Sequence, residues 1–168
     1  MLLKTLVLYG PSQCGKTHCL NYLADKLIKE PNVKLLEKKS NGNGFDNSDN
    51  YYAMLINAEG KDVLVVITTQ GDFEYAEEVN YEFFQKYEKF FPEIDIYWFT
   101  ASRTKGKTTS FIEEKQNEEM KLLWICKGYV YPNTAPPTIA ELYKYSDKHT
   151  ADSLLEILNH LIREKENK

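Results

Sequence analysis

The segment from Gly10 to Thr17 carries residue types that are suited to holding a chain of phosphates. It reads Gly-Pro-Ser-Gln-Cys-Gly-Lys-Thr and fits the pattern Gly-x-x-x-x-Gly-Lys-(Ser/Thr). Glycines let successive backbone N–H groups point inward at phosphate, a lysine can reach the β and γ phosphates, and a threonine hydroxyl can ligate Mg²⁺. We therefore predict a site for a nucleoside triphosphate, with Lys16 as a catalytic candidate and Thr17 as a metal ligand. The candidate binding residues are Gly10, Pro11, Ser12, Gln13, Cys14, Gly15, Lys16, Thr17 and His18.

A cationic stretch later in the chain offers a second group that could contact phosphate. Arg103 is followed by Lys105, Gly106 and Lys107, and the chain has one other arginine, Arg163. A planar guanidinium suits bidentate contact with phosphate, and an arginine that meets the transition state can contribute about 10³–10⁵ in rate. We name Arg103 as a catalytic candidate on a loop over residues 100–109 that could close over an anion. The alternative is a solvated cationic loop.

The elements on either side of the first segment are those that a phosphate-binding loop needs. Residues 3–9 form an apolar run that predicts a strand, and a helix with a 3.6-residue period follows and stops at Pro31. The positive end of this helix would attract phosphate. The apolar stripe of the helix consists of Leu20, Leu23, Ala24, Leu27 and Ile28.

The rest of the chain alternates between predicted strands and helices. We predict strands over residues 33–39, 51–57, 62–68, 94–99 and 123–131, and an exposed loop over 41–50. A tight turn at Glu59-Gly60-Lys61 makes two of these strands an antiparallel hairpin. Helices are predicted from near Glu74 to Pro92 and from the capping boxes that begin at Ser110 and Thr138, the last with a break near 147–150 as an alternative. The stripe of the second helix would contain Ala76, Val79, Phe83, Tyr87 and Phe90 or Phe91.

This alternation predicts an α/β fold with a mainly parallel central sheet and one antiparallel hairpin. With strand, glycine-rich turn and helix in this order, the chain resembles the P-loop NTPase superfamily and, more loosely, its small kinase-like members. The specific resemblance covers residues 3–28. It implies a single nucleotide-binding domain over residues 1–168, built as a three-layer sandwich, with ATP and Mg²⁺ as cofactors. Guanine specificity in the superfamily uses an Asn-Lys-x-Asp box, which this sequence lacks, so the resemblance implies ATP.

The superfamily usually has an acidic residue at the end of an apolar strand, where it holds Mg²⁺. Here the candidate strand, 63–67, is followed by Thr68, Thr69, Gln70, Gly71 and Asp72. We assign Asp72 as a catalytic and metal-binding candidate because ligands of open α/β sheets bind beyond the carboxyl ends of strands. Two alternatives stay open: Asp72 could cap the next helix, or Thr68, Thr69 and Gln70 could orient a phosphate or water. This departure puts efficient hydrolysis in doubt, but not nucleotide binding.

Composition limits the class of protein. A chain of 168 residues that is 42% hydrophobic can bury one sizeable core. Its apolar runs are too short to cross a bilayer, so no membrane partner is expected. The absence of a signal peptide and the odd number of cysteines predict free thiols and a cytoplasmic protein. The net charge of −4 argues against nucleic acid and leaves a protein partner open.

Three functions agree with these features. The first is an ATPase or molecular switch. The second is a small kinase that transfers the γ-phosphoryl group of ATP to a small-molecule or nucleotide acceptor lying between residues 41–50 and the Arg103 loop. The third is a nucleotide-binding module without catalysis.

Overall fold

The computed structural model describes residues 3–11, 14–40, 49–71, 75–115, 120–127 and 138–166, the last range with side chains over 144–164. Within these ranges the chain forms six strands and four helices. In chain order they are β1 (Leu3–Tyr9), α1 (Lys16–Ile28), β2 (Val33–Ser40), β3 (Asn50–Ala58), β4 (Lys61–Thr68), α2 (Ala76–Phe90), β5 (Asp95–Ser102), α3 (Lys107–Lys115), β6 (Met120–Cys126) and α4 (Thr138–Glu166).

The six strands form one mixed sheet in the order β2-β3-β4-β5-β1-β6. β1 pairs in parallel with both β5 and β6, and β4 pairs in parallel with β5. β3 pairs antiparallel with β4 and with β2. The α/β class and the predicted hairpin are therefore confirmed, and β2 adds an antiparallel pairing that the sequence did not predict.

Helices cover both faces of the sheet. On one face, α1 and α4 bury side chains such as Leu23 and Leu158 against Val65 and Ile67 of β4. On the other face, α2 packs against the alternate β4 residues Leu64 and Val66. β4 is thus apolar on both sides, which explains why its sequence shows no alternation between polar and apolar residues.

Four parallel strands end at the same edge of the sheet, and this edge positions the candidate site. Tyr9 at the end of β1 is in register with Ser102 of β5 and with Cys126 of β6. Thr68 at the end of β4 is in register with Thr100 of β5. The segments that follow β1, β4, β5 and β6 therefore meet along one edge.

Several predicted boundaries are wrong around β5, α3 and β6. β5 continues through Ser102, because its last residues pair with the end of β1. α3 begins at Lys107, with Ser110 N–H donating to the Gly106 carbonyl (3.1 Å), so Ser110 lies inside the helix and is not its cap. The predicted ten-residue loop is therefore reduced to residues 103–106. β6 spans Met120–Cys126, so it begins three residues before the predicted start at 123, while the predicted end at 131 lies outside the described residues. α4 continues through residues 147–150 without a break.

The buried face of α2 also differs from the predicted stripe. Val79 is 39% exposed, and of the two predicted alternatives Phe90 is 67% exposed whereas Phe91 packs against the core. Glu77 and Asn80, which were not in the predicted stripe, are buried. The real stripe thus contains two polar residues.

Two further findings concern the chain as a whole. Among the described residues, no helix combines the length and the apolar character needed to cross a bilayer. Cys14, Cys19 and Cys126 are all free thiols, as predicted.

Candidate phosphate-binding site

The segment from Gly10 to Thr17 connects β1 to α1 at the carboxyl edge of the sheet. Gly10 N–H donates to the Ser102 carbonyl (3.3 Å), so the segment begins against the end of β5. A Cβ at Gly10 would lie 2.8 Å from Cys14 Sγ and 3.1 Å from the Lys127 carbonyl oxygen. The chain therefore passes too close to its neighbours at this point for any side chain.

Gly15 is the residue before the first turn of α1 and has the left-handed backbone angle φ +94°. A Cβ there would lie 2.3 Å from Oδ1 of Asp147, a buried residue of α4. Both glycines of the motif are thus required by the geometry, one by close backbone approach and the other by conformation and contact.

Lys16 is 3% exposed, and its ammonium group lies against Gly10, Pro11 and Cys14. Nζ donates to the carbonyl oxygens of Gly10 (3.1 Å) and Pro11 (2.8 Å), and Cys14 Sγ lies 3.9 Å away. A positive charge is therefore held within the curve of the segment, directly beside the N-terminus of α1. Cation, glycine bend and helix N-terminus together form the donor set that an anion such as phosphate requires.

Thr17 connects this segment to a strand that is not its neighbour. Its hydroxyl donates to the carbonyl oxygen of Thr69, just beyond β4, at 3.0 Å. β5 separates β4 from β1 in the sheet. The hydrogen bond thus brings the candidate metal ligand to the end of the strand that we expected to supply the acidic residue.

The hydroxyl groups at the end of β4 are used within the fold. Thr68 Oγ1 accepts from Trp98 Nε1 and donates to Thr100 Oγ1, both at 3.0 Å. Thr69 Oγ1 accepts from the Asn50 backbone N–H (2.9 Å). The part of Thr69 that faces the candidate site is its backbone carbonyl. The hydroxyls of Thr68 and Thr69, which we considered as groups that orient a phosphate, are bonded to other parts of the fold.

Arg103 lies directly beyond β5, next to the start of the glycine segment, and its side chain is exposed. Its backbone is fixed by two threonines of α3. Thr108 Oγ1 accepts from Arg103 N–H (3.3 Å), and Thr109 Oγ1 donates to the Arg103 carbonyl (3.0 Å). The guanidinium therefore extends from a short, pinned turn at the same sheet edge as Lys16.

A buried ion pair lies against the glycine segment. The sequence did not predict this pair. Lys127, the residue after β6, places Nζ 3.2 Å from Asp147 Oδ1 and 2.8 Å from Ser146 Oγ. Lys127 N–H also donates to the Tyr9 carbonyl (2.8 Å). Cys19 Sγ lies 3.7 Å from the same Asp147 oxygen, and burial together with this carboxylate raises the pKa of the thiol to about 12. Lys127, directly after β6, and Asp147 of α4 thus pack against the glycine segment.

The remaining predicted residues do not join this cluster or cannot be located in it. His18 is exposed on α1. Ser12, Gln13 and Asp72 lie outside the described residues, so their predicted roles stay predictions. Within the part of the chain that the structure describes, no group of three or more His, Cys, Asp or Glu side chains is arranged to hold a metal ion.

Comparison with models of known protein families, with curated proteins and with solved structures yields no match for this chain. The functional conclusion therefore has to come from the residues and the geometry of this site.

Proposed function

We propose that this protein is an ATP-binding P-loop NTPase that uses Mg²⁺ for ATP hydrolysis or for a nucleotide-dependent switch. One observation carries the proposal: the buried Lys16 ammonium lies against the carbonyls of Gly10 and Pro11, at the N-terminus of a helix that follows a glycine with positive φ. The helices on both faces of the sheet agree with the three-layer sandwich of this superfamily. ATP is preferred to GTP because the sequence lacks the guanine-recognition box.

Lys16 would contact the β and γ phosphates. In the structure its ammonium is bonded to two neutral carbonyl oxygens. Phosphate oxygens are charged acceptors and form stronger hydrogen bonds with an ammonium than neutral carbonyls do. When a triphosphate binds, Lys16 Nζ would therefore exchange its hydrogen bonds with the carbonyls of Gly10 and Pro11 for hydrogen bonds with phosphate oxygens.

Thr17 would hold Mg²⁺ through its hydroxyl oxygen. Because its proton is donated to the Thr69 carbonyl, the lone pairs of the oxygen are directed away from that carbonyl and are available to a cation. Bound Mg²⁺ would neutralise charge on the phosphates. Asp72, three positions after Thr69 in the sequence, is the acidic residue that we propose for the same ion.

Arg103 would serve either hydrolysis or phosphoryl transfer. Its position beside the start of the glycine segment would let a guanidinium meet the charge that develops on the γ-phosphoryl group. Both an ATPase and a kinase would use such a group. Thr68 and Thr69 follow the apolar run 63–67 where the superfamily usually has an acidic residue, and this departure favours slow turnover, which suits a switch.

The deciding experiment measures ADP release with MgATP alone and with MgATP plus a panel of metabolites and nucleotides. Basal release without an acceptor supports the ATPase. Release that depends on an acceptor supports the kinase alternative. Thermal stabilisation by MgATP without release supports a binding module. If MgATP neither stabilises the protein nor is turned over, the proposed function is wrong.

A further inference from the structure

A cavity of about 170 Å³ opens between the N-terminal ends of α2 and α3, apart from the glycine segment. A buried apolar cavity of about 150 Å³ is enough to bind benzene, so this space can take one six-membered ring with a small substituent. It is lined by Tyr75, Glu77, Glu78, Lys107 and Phe111.

Glu77 is the side chain that gives the cavity its chemistry. It is 1% exposed, and neither of its carboxyl oxygens makes a hydrogen bond with any described residue. Burial raises the pKa of Glu77 to about 9, an effect that the nearby Asn80 side chain opposes only in part. An unsatisfied buried carboxyl group costs folding free energy, and a ligand that brings N–H groups into the cavity would recover it.

The walls of the cavity are fixed by the ends of two central strands. Asn80 Nδ2, one turn beyond Glu77, donates to the Gln70 carbonyl (2.6 Å) and to Thr100 Oγ1 (3.3 Å). α3 is held to β5 through Ser102 Oγ and Thr108 Oγ1 (3.3 Å). The Phe111 ring packs edge-on against Tyr81, with ring centroids 5.9 Å apart. The carboxyl group and the aromatic wall are thus preorganised relative to each other.

We propose that this cavity is a second binding site, separate from the glycine segment, for a small planar ligand that presents an amidine-type N–C–N fork to Glu77. The two oxygens of one carboxyl group match such a fork with two parallel hydrogen bonds. Phe111 and Tyr75 offer faces for the attached ring, and Glu78 adds negative charge at the rim, opposite Lys107.

Two classes of ligand present such an N–C–N fork. A charged amidinium or guanidinium would bind Glu77 as the carboxylate. A neutral amino-heterocycle would bind it as the acid, with the carboxyl O–H donating to the ring nitrogen and the carbonyl oxygen accepting from the amino group. In mildly alkaline buffer 2-aminopyridine is neutral and benzamidine is still a cation, so these two probes separate the two classes of ligand. Benzoate is the control of the same size and opposite charge.

Calorimetry with the full chain tests the proposal. We expect benzamidine or 2-aminopyridine to bind at millimolar concentration or tighter, and benzoate not to bind. Glu77→Gln keeps the size of the side chain and should weaken the binding of benzamidine roughly tenfold or more, because a charge-assisted pair is lost. Glu78→Gln, at the exposed rim, is the matched control and should change the affinity far less. Phe111→Leu should weaken both probes without altering the charge of the cavity.

Three results would overturn the proposal: no binding of either probe, equal affinity of benzamidine for wild type and Glu77→Gln, or displacement of the bound probe by MgATP. Lys16→Ala separates this site from the nucleotide site. The variant should keep the binding of benzamidine even though it loses ATP, so each of the two proposals can fail without the other. Thermal melting of each variant shows whether a lost affinity reflects unfolding.

Discussion

At the scale of single residues, Lys16 is a buried cation that already has bonding partners. Its ammonium is bonded to the carbonyls of Gly10 and Pro11, so binding of a ligand has to compete with an internal arrangement. Arg103 is the opposite case, an exposed side chain on a backbone that α3 fixes. The first is suited to holding phosphate in the ground state, and the second to meeting charge that appears during reaction.

Replacement of Lys16 by alanine should remove most of the affinity for MgATP, because the charge beside the β and γ phosphates is lost. The carbonyls of Gly10 and Pro11 would lose a donor, so we also expect a stability cost of about 1–2 kcal/mol. Calorimetry with MgATP and thermal melting measure the two effects. Lys29→Ala, at the exposed end of the same helix, is the matched control and should leave both unchanged. A folded Lys16→Ala variant with wild-type affinity would show that the site is assigned wrongly.

Arg103→Ala should lower turnover at saturating ATP much more than it lowers ATP affinity, because the contact strengthens as charge develops on the transferred group. Arg103→Lys should not restore the rate, since lysine keeps the charge and lacks the planar fork. Steady-state kinetics of both variants check this, with Lys105→Ala in the same turn as the control. If Arg103→Ala keeps the turnover of wild type, the segment around Arg103 is a solvated cationic turn without a role in the reaction.

At the scale of elements, the glycine segment depends on parts of the fold that are distant in sequence. β5 accepts the Gly10 N–H, the end of β4 accepts the Thr17 hydroxyl, and α4 supplies Asp147 beneath Gly15. The conformation of the segment is therefore not a property of residues 10–17 alone.

Two glycines with positive φ test this dependence. Gly15 and Gly60 have φ of +94° and +89°, but a Cβ at Gly60 meets nothing within 4 Å, whereas a Cβ at Gly15 meets Asp147. Gly60→Ala should cost about 1–2 kcal/mol from backbone conformation alone. Gly15→Ala should cost clearly more and should also weaken the binding of MgATP. Urea denaturation of both variants measures the two losses of stability. Equal losses would mean that the close approach of Gly15 to Asp147 does not contribute to the cost of the substitution.

Local patterns predicted β1, α1 and the β3–β4 hairpin well, because an apolar run, a glycine turn or a proline marks each boundary. The capping-box pattern at Ser110 was misleading, because Gly106, with φ +108°, already begins the turn of α3. Lys127 and Asp147 could not be paired from sequence, since their contact depends on how α4 packs across the sheet edge. Glu77 was missed because a stripe on a helix was assumed to be apolar throughout.

At the scale of the whole molecule, the stability of the fold should depend on pH through Glu77. The pKa of Glu77 is raised to about 9 in the folded protein, above its ordinary value of 4.5. The folded state therefore binds more protons than the unfolded state between these two values, and stability falls as pH rises through this range. Glu78 and Lys107 are the other charged residues that line the same cavity among the described residues.

Glu77→Gln should abolish this dependence. Wild type and variant should be about equally stable near pH 5. As pH rises, the free energy of unfolding of the variant should increase relative to that of wild type, by at most about 1.4 kcal/mol per pH unit for one proton. Urea denaturation at several pH values between 5 and 9 checks the slope, and Glu78→Gln is the control that should keep the wild-type slope. If Glu77→Gln retains the full slope, another group controls the pH response.

The contact between Gly15 and Asp147 also has a consequence for how the protein is made. The glycine segment is translated before Lys127 and Asp147, the two residues that lie against it. Helix α1 likewise obtains part of its packing from α4, through contacts such as Leu23 and Ala24 with Leu154 and Leu158 in one cluster. A nascent chain therefore cannot complete the proposed phosphate site until α4 has emerged and docked, so the proposed binding of ATP would follow the synthesis of α4 although residues 10–17 are translated before it.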